Sequence, residues 1–274
     1  MCHINDLRKV SINDDIEECS HLFRHLEPLK DTEIQRQVKI SWDKKLSPNQ
    51  YPTVLEPLIA NCYTHHKDTF RALSVIVYKH SCKAMLLFGT LTVEMYFTEK
   101  DWAAWPFVYV CAALPLQDIC SVTIQDYDGI YAGHWESAFG HAKAVTSVRI
   151  SGADAVRTFI SAMRGLDWRN AHCPPYQEDF DELLQDWPRG LHLYEQLFPR
   201  VTEIFLSEFT LRELTIDANL SGIETLRNWL TIMRARSTPL QRLHVWSVGD
   251  ATDLDWEILE EQGVLVTRPG PDNS

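Results

Sequence analysis

The sequence predicts an α/β fold, a curved parallel sheet with helices on one side. Three observations lead there. Short stretches of Leu-x-Val type repeat apolar residues at period two, the signature of strands. Amphipathic stretches at helical spacing lie between several of them. Strand, helix, strand in sequence implies parallel pairing through crossover connections. The composition permits such a fold. Of 274 residues, 45% are hydrophobic and 23% charged, so a sizeable core is expected and global disorder is not.

Residues 1–50 read as a helical N-terminal cap or the remnant of a preceding domain. Ile16, Cys19, Leu22, Phe23 and Leu26 recur at helical spacing after possible caps at Asn13 and Asp14, and Pro28 discourages continuation. Val38, Ile40 and Trp42 alternate with polar residues as in a short strand. The turn-rich segment Ser47–Pro52 marks a boundary. Residues 51–268 then form the main domain, and 269–274 a disordered tail.

Within the main domain, Val54, Leu55, Leu58 and Ile59 open a short helix. Strand spacing follows at Leu73, Val75 and Val77, and at Leu91, Val93 and Met95. Further pairs stand at Val122 and Ile124, Val148 and Ile150, Ile204 and Leu206, Leu214 and Ile216, and Leu243 and Val245. The apolar run Trp102–Leu116, interrupted by Pro106 and Pro115, reads as a buried strand near Val108 and Val110. Asp154 is placed to cap a helix carrying Val156, Phe159, Ile160 and Met163. Ser221 is placed to cap another carrying Ile223, Leu226, Trp229, Leu230 and Met233, with Glu224 at capping-box spacing. Arg234 and Arg236 suit that helix's C-terminal dipole. Leu183, Leu184, Leu191, Leu193, Leu197 and Phe198 suggest more helix, interrupted at Pro188 and Gly190.

Counted from the first apolar residue of each strand, the spacings are 18, 31, 26, 56, 10 and 29. Values of 26 and 29 fall in the leucine-rich-repeat range of about 20–29 residues. The 56 leaves room for a degenerate repeat or a long insertion, and the 10 is too short for a crossover. The fold class is therefore an irregular leucine-rich-repeat-like curved sheet. Each unit buries one strand face against its neighbours, and the alternate residues face out. With Leu73, Val93, Ile124, Val148 and Val245 inside, the outward set includes Tyr78, Tyr96, Gln125, Arg149, His244 and Trp246. Tyr, Trp and Arg dominate interface hot spots, so these six are the candidate partner-binding residues.

Two stretches carry a family likeness. Residues 145–152 read Val-Thr-Ser-Val-Arg-Ile-Ser-Gly before an amphipathic helix. Residues 198–206 read Phe-Pro-Arg-Val-Thr-Glu-Ile-Phe-Leu and lead through a helix to Thr-Pro-Leu-Gln-Arg-Leu-His-Val-Trp at 238–246. The ending Leu-Glu-Glu-Gln-Gly-Val-Leu-Val at 259–266 fits, as does Val54–Ile59 leading into Phe70-Arg71-Ala72-Leu73. This resembles the leucine-rich-repeat region of fungal, particularly basidiomycete, F-box-like proteins, over roughly residues 50–268. The resemblance implies a substrate-recognition arm of a cullin-type ubiquitin ligase. The family's F-box would start Leu-Pro-x-Glu; here Leu26-Glu27-Pro28-Leu29 has another order, so an adaptor of the ligase is expected as a partner only if an F-box lies elsewhere.

Other chemistry finds little footing. Lys and Arg total 26 against 38 Asp and Glu, a net charge of −12, and no basic run exceeds the pairs Arg8-Lys9 and Lys44-Lys45. Nucleic acid is not an expected partner, nor is a membrane. Seven dispersed cysteines without a Cys-x-x-Cys pair, and an N-terminus without an apolar signal core, point to the cytoplasm or nucleus. Asn219-Leu220-Ser221, a glycosylation acceptor pattern, then carries no meaning. Cys19, His21 and His25, and Cys62, His65 and His66, lack the rest of a zinc pattern. His134, His141, His172 and Cys173 do not close a four-ligand set. The acidic runs Glu178–Asp186 and Asp253–Glu261 lack calcium-loop spacing and read as solvated faces. No phosphate loop or nucleophile elbow occurs. No cofactor, metal or catalytic residue is expected. The leading expectation is a non-catalytic module that binds a protein of unknown identity. The alternatives are an enzyme of an unrecognised α/β family, with a site in the apparent loop 129–141, and a paralogue that has lost activity.

Overall fold

In a computed structural model, the described residues are 9–13, 36–42, 70–78, 81–88, 91–98, 108, 111, 114–126, 132–164, 197–215, 220–236, 239–248, 250–262 and 265–267. The fold is mixed α/β, with one mostly parallel sheet of ten strands in the order β1-β2-β5-β4-β3-β6-β7-β8-β9-β10. The strands are β1 (Lys9–Asn13), β2 (Arg36–Trp42), β3 (Phe70–Tyr78), β4 (Ser81–Phe88), β5 (Leu91–Thr98), β6 (Ser121–Asp126), β7 (Ser147–Ser151), β8 (Glu203–Phe209), β9 (Arg242–Val248) and β10 (Leu265–Thr267). Four described helices accompany them: α1 (Ala132–Phe139), α2 (Ala153–Met163), α3 (Gly222–Arg234) and α4 (Asp253–Glu260).

Register explains why one sheet forms. Leu73, Val122, Val148, Ile204 and Leu243 lie opposite one another across five strands, and Val75, Ile124, Ile150, Leu206 and Val245 form the next such row. All ten are essentially inaccessible. Period two thus gives every strand one apolar face, and parallel pairing without slips aligns those faces. The helices bury their own stripes on the same core. An aromatic chain fills it: Trp135 contacts Phe139 and Phe159, Phe139 and Phe159 both contact Phe198, and Phe159 meets Trp229 edge-on with centroids 6.3 Å apart.

The sheet departs from the expected parallel, curved layer in its middle. β4 runs antiparallel to both β3 and β5. Only residues 79–80 and 89–90 separate these strands, too few for a crossover, so each junction turns the chain straight back. The sheet is not strongly curled. A repeat layer curls when a bulky element backs each strand, and the β3-β4-β5 meander has no length for one. From β6 to β10, by contrast, sequence order equals spatial order and every pair is parallel.

Some local expectations hold and others are corrected. The strand expected at Val38, Ile40 and Trp42 forms as β2, and a further strand, β1, pairs with it in parallel while β2 joins β5; the helix expected over 16–26 lies outside the described residues, as does the tail 269–274. Val108 is helical and buried rather than in a strand. Leu214 ends a 3-10 turn, Leu211–Leu214, because Thr210 and Glu213 form a capping box that winds the chain there. Asp250 tightens that turn by accepting from the Leu211 amide at 2.6 Å. The N-cap of α2 is Gly152, with φ of 102°, a conformation glycine adopts without strain. Asp154 sits instead in the first turn and pairs with Arg157. Ser221 and Glu224 do form the expected capping box of α3. Arg236 is buried just past that helix and donates to the Leu197 carbonyl at 2.6 Å. No described helix is long and apolar enough to cross a membrane.

Candidate functional site on the open sheet face

The face opposite the core carries the alternate residues. On β7, β8 and β9 the apolar pairs point inward, so Arg149, then Glu203 and Phe205, then Arg242, His244 and Trp246 lie on the other side. Register places Arg149 opposite Phe205 and Phe205 opposite His244. The Phe205 and His244 rings stack with centroids 4.2 Å apart and planes within 7°. The Arg149 guanidinium lies 4.8 Å above the Phe205 ring centre. Trp246 meets Phe205 edge-on at 6.1 Å and remains 42% exposed. Glu203 anchors the far side: its Oε1 is 3.1 Å from His244 Nε2 and 3.5 Å from an Arg242 nitrogen. Five side chains from three strands thus brace one another around Phe205.

A second group occupies the same face of β4 and β5. The Tyr96 hydroxyl donates to Glu94 Oε2 at 2.8 Å, and Lys83 Nζ stands 3.6 Å from the same oxygen. The Lys83 ammonium also lies 5.2 Å from the Tyr96 ring centre. Burial alone would lower the Lys83 pKa, but the Tyr96 and Glu94 groups outweigh it and raise it above its ordinary value. Glu94 is itself buried. Glu94 is at the buried centre of this group, whereas the first presents Arg149 and Trp246 to solvent.

The six sequence-predicted face residues do not converge on one point. Tyr96, Lys83, Ile76, Gln125, Ser151, Ser207 and Trp246 form one row across the sheet. Six strand spacings separate Tyr96 from Trp246, roughly 29 Å at about 4.8 Å each. Arg149, His244 and Trp246 come together, Tyr96 belongs to the second group, and half-buried Gln125 lies between them. Tyr78 ends β3 opposite Ser81, and its side chain lies outside the described residues. Phe205, Glu203, Lys83 and Glu94 were not anticipated. The strand alternation that marked Arg149 and His244 marks Phe205 and Glu203 equally, but their partners stand dozens of residues away in sequence.

The apparent loop 129–141 is largely helix: α1 covers 132–139 because Trp135, Ala138 and Phe139 make a helical apolar stripe. His134 is buried, and desolvation pushes its pKa down to about 3, so the ring is neutral. The Ser137 hydroxyl donates to the Gly133 carbonyl at 3.1 Å, and burial raises the Glu136 carboxyl above its ordinary pKa. His141 is exposed beyond the helix end. Among the described residues no group of three His, Cys, Asp or Glu is placed to hold a metal; Cys19, His21, His25, Cys62, His65, His66, His172, Cys173 and the acidic run from Glu178 lie outside them. The second acidic run is helix α4, where Asp255 closes a capping box with Thr252. Compared with family models, curated proteins and solved structures, the chain matches none.

Proposed function

We propose that this chain is a non-catalytic protein-interaction module that binds its partner on the open face of β7, β8 and β9. One observation carries the reading: Trp246 and Arg149 are exposed on an open sheet face while a braced aromatic base holds them in place. Exposed Trp and Arg on a preorganised base lose little side-chain freedom on binding, which is what interface hot spots need. The sequence-ordered ladder from β6 to β10, with helices behind it, supports the narrower leucine-rich-repeat-like reading of this half. The resemblance to F-box-like proteins extends the proposal to substrate recognition within a cullin-type ubiquitin ligase in the cytoplasm or nucleus. Docking to the adaptor of the ligase would need an F-box in addition.

Affinity purification with quantitative mass spectrometry tests the surface. Tagged wild-type chain is compared with an Arg149→Glu, Trp246→Ala double variant and with Arg227→Glu, a change on the exposed side of α3. Partners retained by the α3 variant and lost from the face variant are the expected result. Partners held equally by all three, or a turnover activity without any partner, would refute the proposal.

A further inference from the structure

The chemistry of the β7–β9 face is specific enough to select a ligand class. Arg149 is exposed, and none of the ion pairs among the described residues gives it a carboxylate. Its guanidinium lies over Phe205, which stacks on His244, which is held by Glu203. Stacking satisfies the flat faces of a guanidinium and leaves its in-plane N–H donors free, the arrangement that grips a planar anion with two parallel hydrogen bonds. The other two cationic or basic groups of the cluster, Arg242 and His244, are already engaged by Glu203. A dianion would need a second free cation and would also face the Glu203 charge. A single carboxylate needs neither. Trp246, two strands from Arg149, offers an exposed apolar surface. Two strand spacings across the sheet, with the two residues from His244 to Trp246 along β9, make roughly 12 Å, a little over three residues of extended chain.

We infer that this face binds an extended acidic peptide of a protein partner, with an Asp or Glu carboxylate in the fork of Arg149 and an apolar side chain about three residues away on Trp246. The inference deepens the proposed function and rests on it. The chain's net charge of −12 sets up an opposing long-range field. Physiological salt screens that field beyond about 8 Å, so local groups decide the contact.

Fluorescence anisotropy of labelled peptides against the full chain provides the test. The peptides carry one Glu and one Leu at spacings from one to five residues, with matched Gln and phosphoserine versions of each. Glu peptides with the two residues about three positions apart are expected to bind at least about tenfold tighter than the Gln versions, the worth of one charge-assisted contact. Arg149→Gln should abolish that preference, Arg149→Lys should restore only part of it, and Trp246→Ala should weaken all Leu-containing peptides. Equal binding of Glu and Gln peptides, a preference for phosphoserine, indifference to Arg149→Gln or no binding by any peptide would each overturn the inference. Failure of this inference alone has its own signature: a partner captured from cells that is lost with Trp246→Ala yet kept with Arg149→Gln leaves the interaction surface standing without the acidic ligand.

Discussion

The two halves of the sheet are built from similar strands and differ in what joins them. From β6 to β10 long connections let each strand return in the same direction, and helices α1 to α4 lie between successive strands. Between β3 and β5 two-residue connections force reversal, and spatial order runs opposite to sequence order. The difference teaches that strand pattern sets which residues are buried, whereas connection length sets direction and order. It also separates two kinds of surface. The meander joins Lys83, Glu94 and Tyr96 in one network around a buried carboxylate, while the parallel half leaves Arg149 and Trp246 to solvent.

Despite their different topology the halves share one core, and large-to-small substitutions in each can break that statement. Phe159 touches Trp135, Phe198 and Trp229, so Phe159→Ala should cost about 3–5 kcal/mol in denaturant unfolding. Met95, fully buried under β5, should cost about 2–5 kcal/mol as Met95→Ala. Both are expected to shift one cooperative transition. Two separate transitions, each moved by only one of the variants, would show that the halves fold independently.

The parallel half also depends on close approach of helix to turn. A Cβ added at Gly222 would lie 1.7 Å from the Leu211 carbonyl oxygen, a backbone atom with little room to yield. Gly222→Ala should therefore destabilise by about 1–3 kcal/mol, although alanine is the better helix former. A neutral effect would mean that α3 can slide off the 3-10 turn without loss.

What could be read beforehand follows the same division. The strands at Val122, Val148, Ile204 and Leu243, and the capping box of Ser221 and Glu224, were legible because periodicity and caps are local properties. β4 escaped because Cys82–Phe88 is apolar at nearly every position and shows no alternation. At Leu214 the capping box of Thr210 and Glu213 overrides the strand-like spacing. Half of the site was visible for the same local reasons: Arg149, His244 and Trp246 alternate with buried neighbours. Phe205 alternates in the same way, but its central place lies in register with β7 and β9, and register between distant strands is written nowhere in a single stretch.

His134 distinguishes the halves by pH. Its pKa is lowered to about 3 from an ordinary 6.5 by burial in α1. Above pH 6.5 both folded and unfolded states hold the ring neutral. Between 6.5 and 3 only the unfolded state binds the proton, so stability falls as pH falls through that window. The slope should approach about 1.4 kcal/mol per pH unit, one proton's worth. His134→Gln should flatten that slope in denaturant melts between pH 4 and 6, whatever it does to stability at pH 7. An unchanged slope would assign the acid sensitivity to other groups.

The smallest expected effects bear most directly on the two surface networks. Glu94 holds Tyr96 and Lys83, Glu203 holds His244 and Arg242 on the same sheet face, and Gln replaces either carboxylate with almost no change of shape. Glu94 is buried with Tyr96 and Lys83, so Glu94→Gln removes a largely desolvated charge contact and should cost about 1 kcal/mol. Glu203 contacts an exposed Arg242 and a partly buried His244, where water and salt compete; Glu203→Gln should cost about 0.5 kcal/mol or less. Paired thermal melts at low and high salt would check both, with the Glu203 variant losing its small effect as salt rises and the Glu94 variant keeping most of its own. The reverse ranking would mean that the open face spends stability on holding its shape, and that the network around Phe205, rather than the buried network of the meander, is the rigid part of this surface.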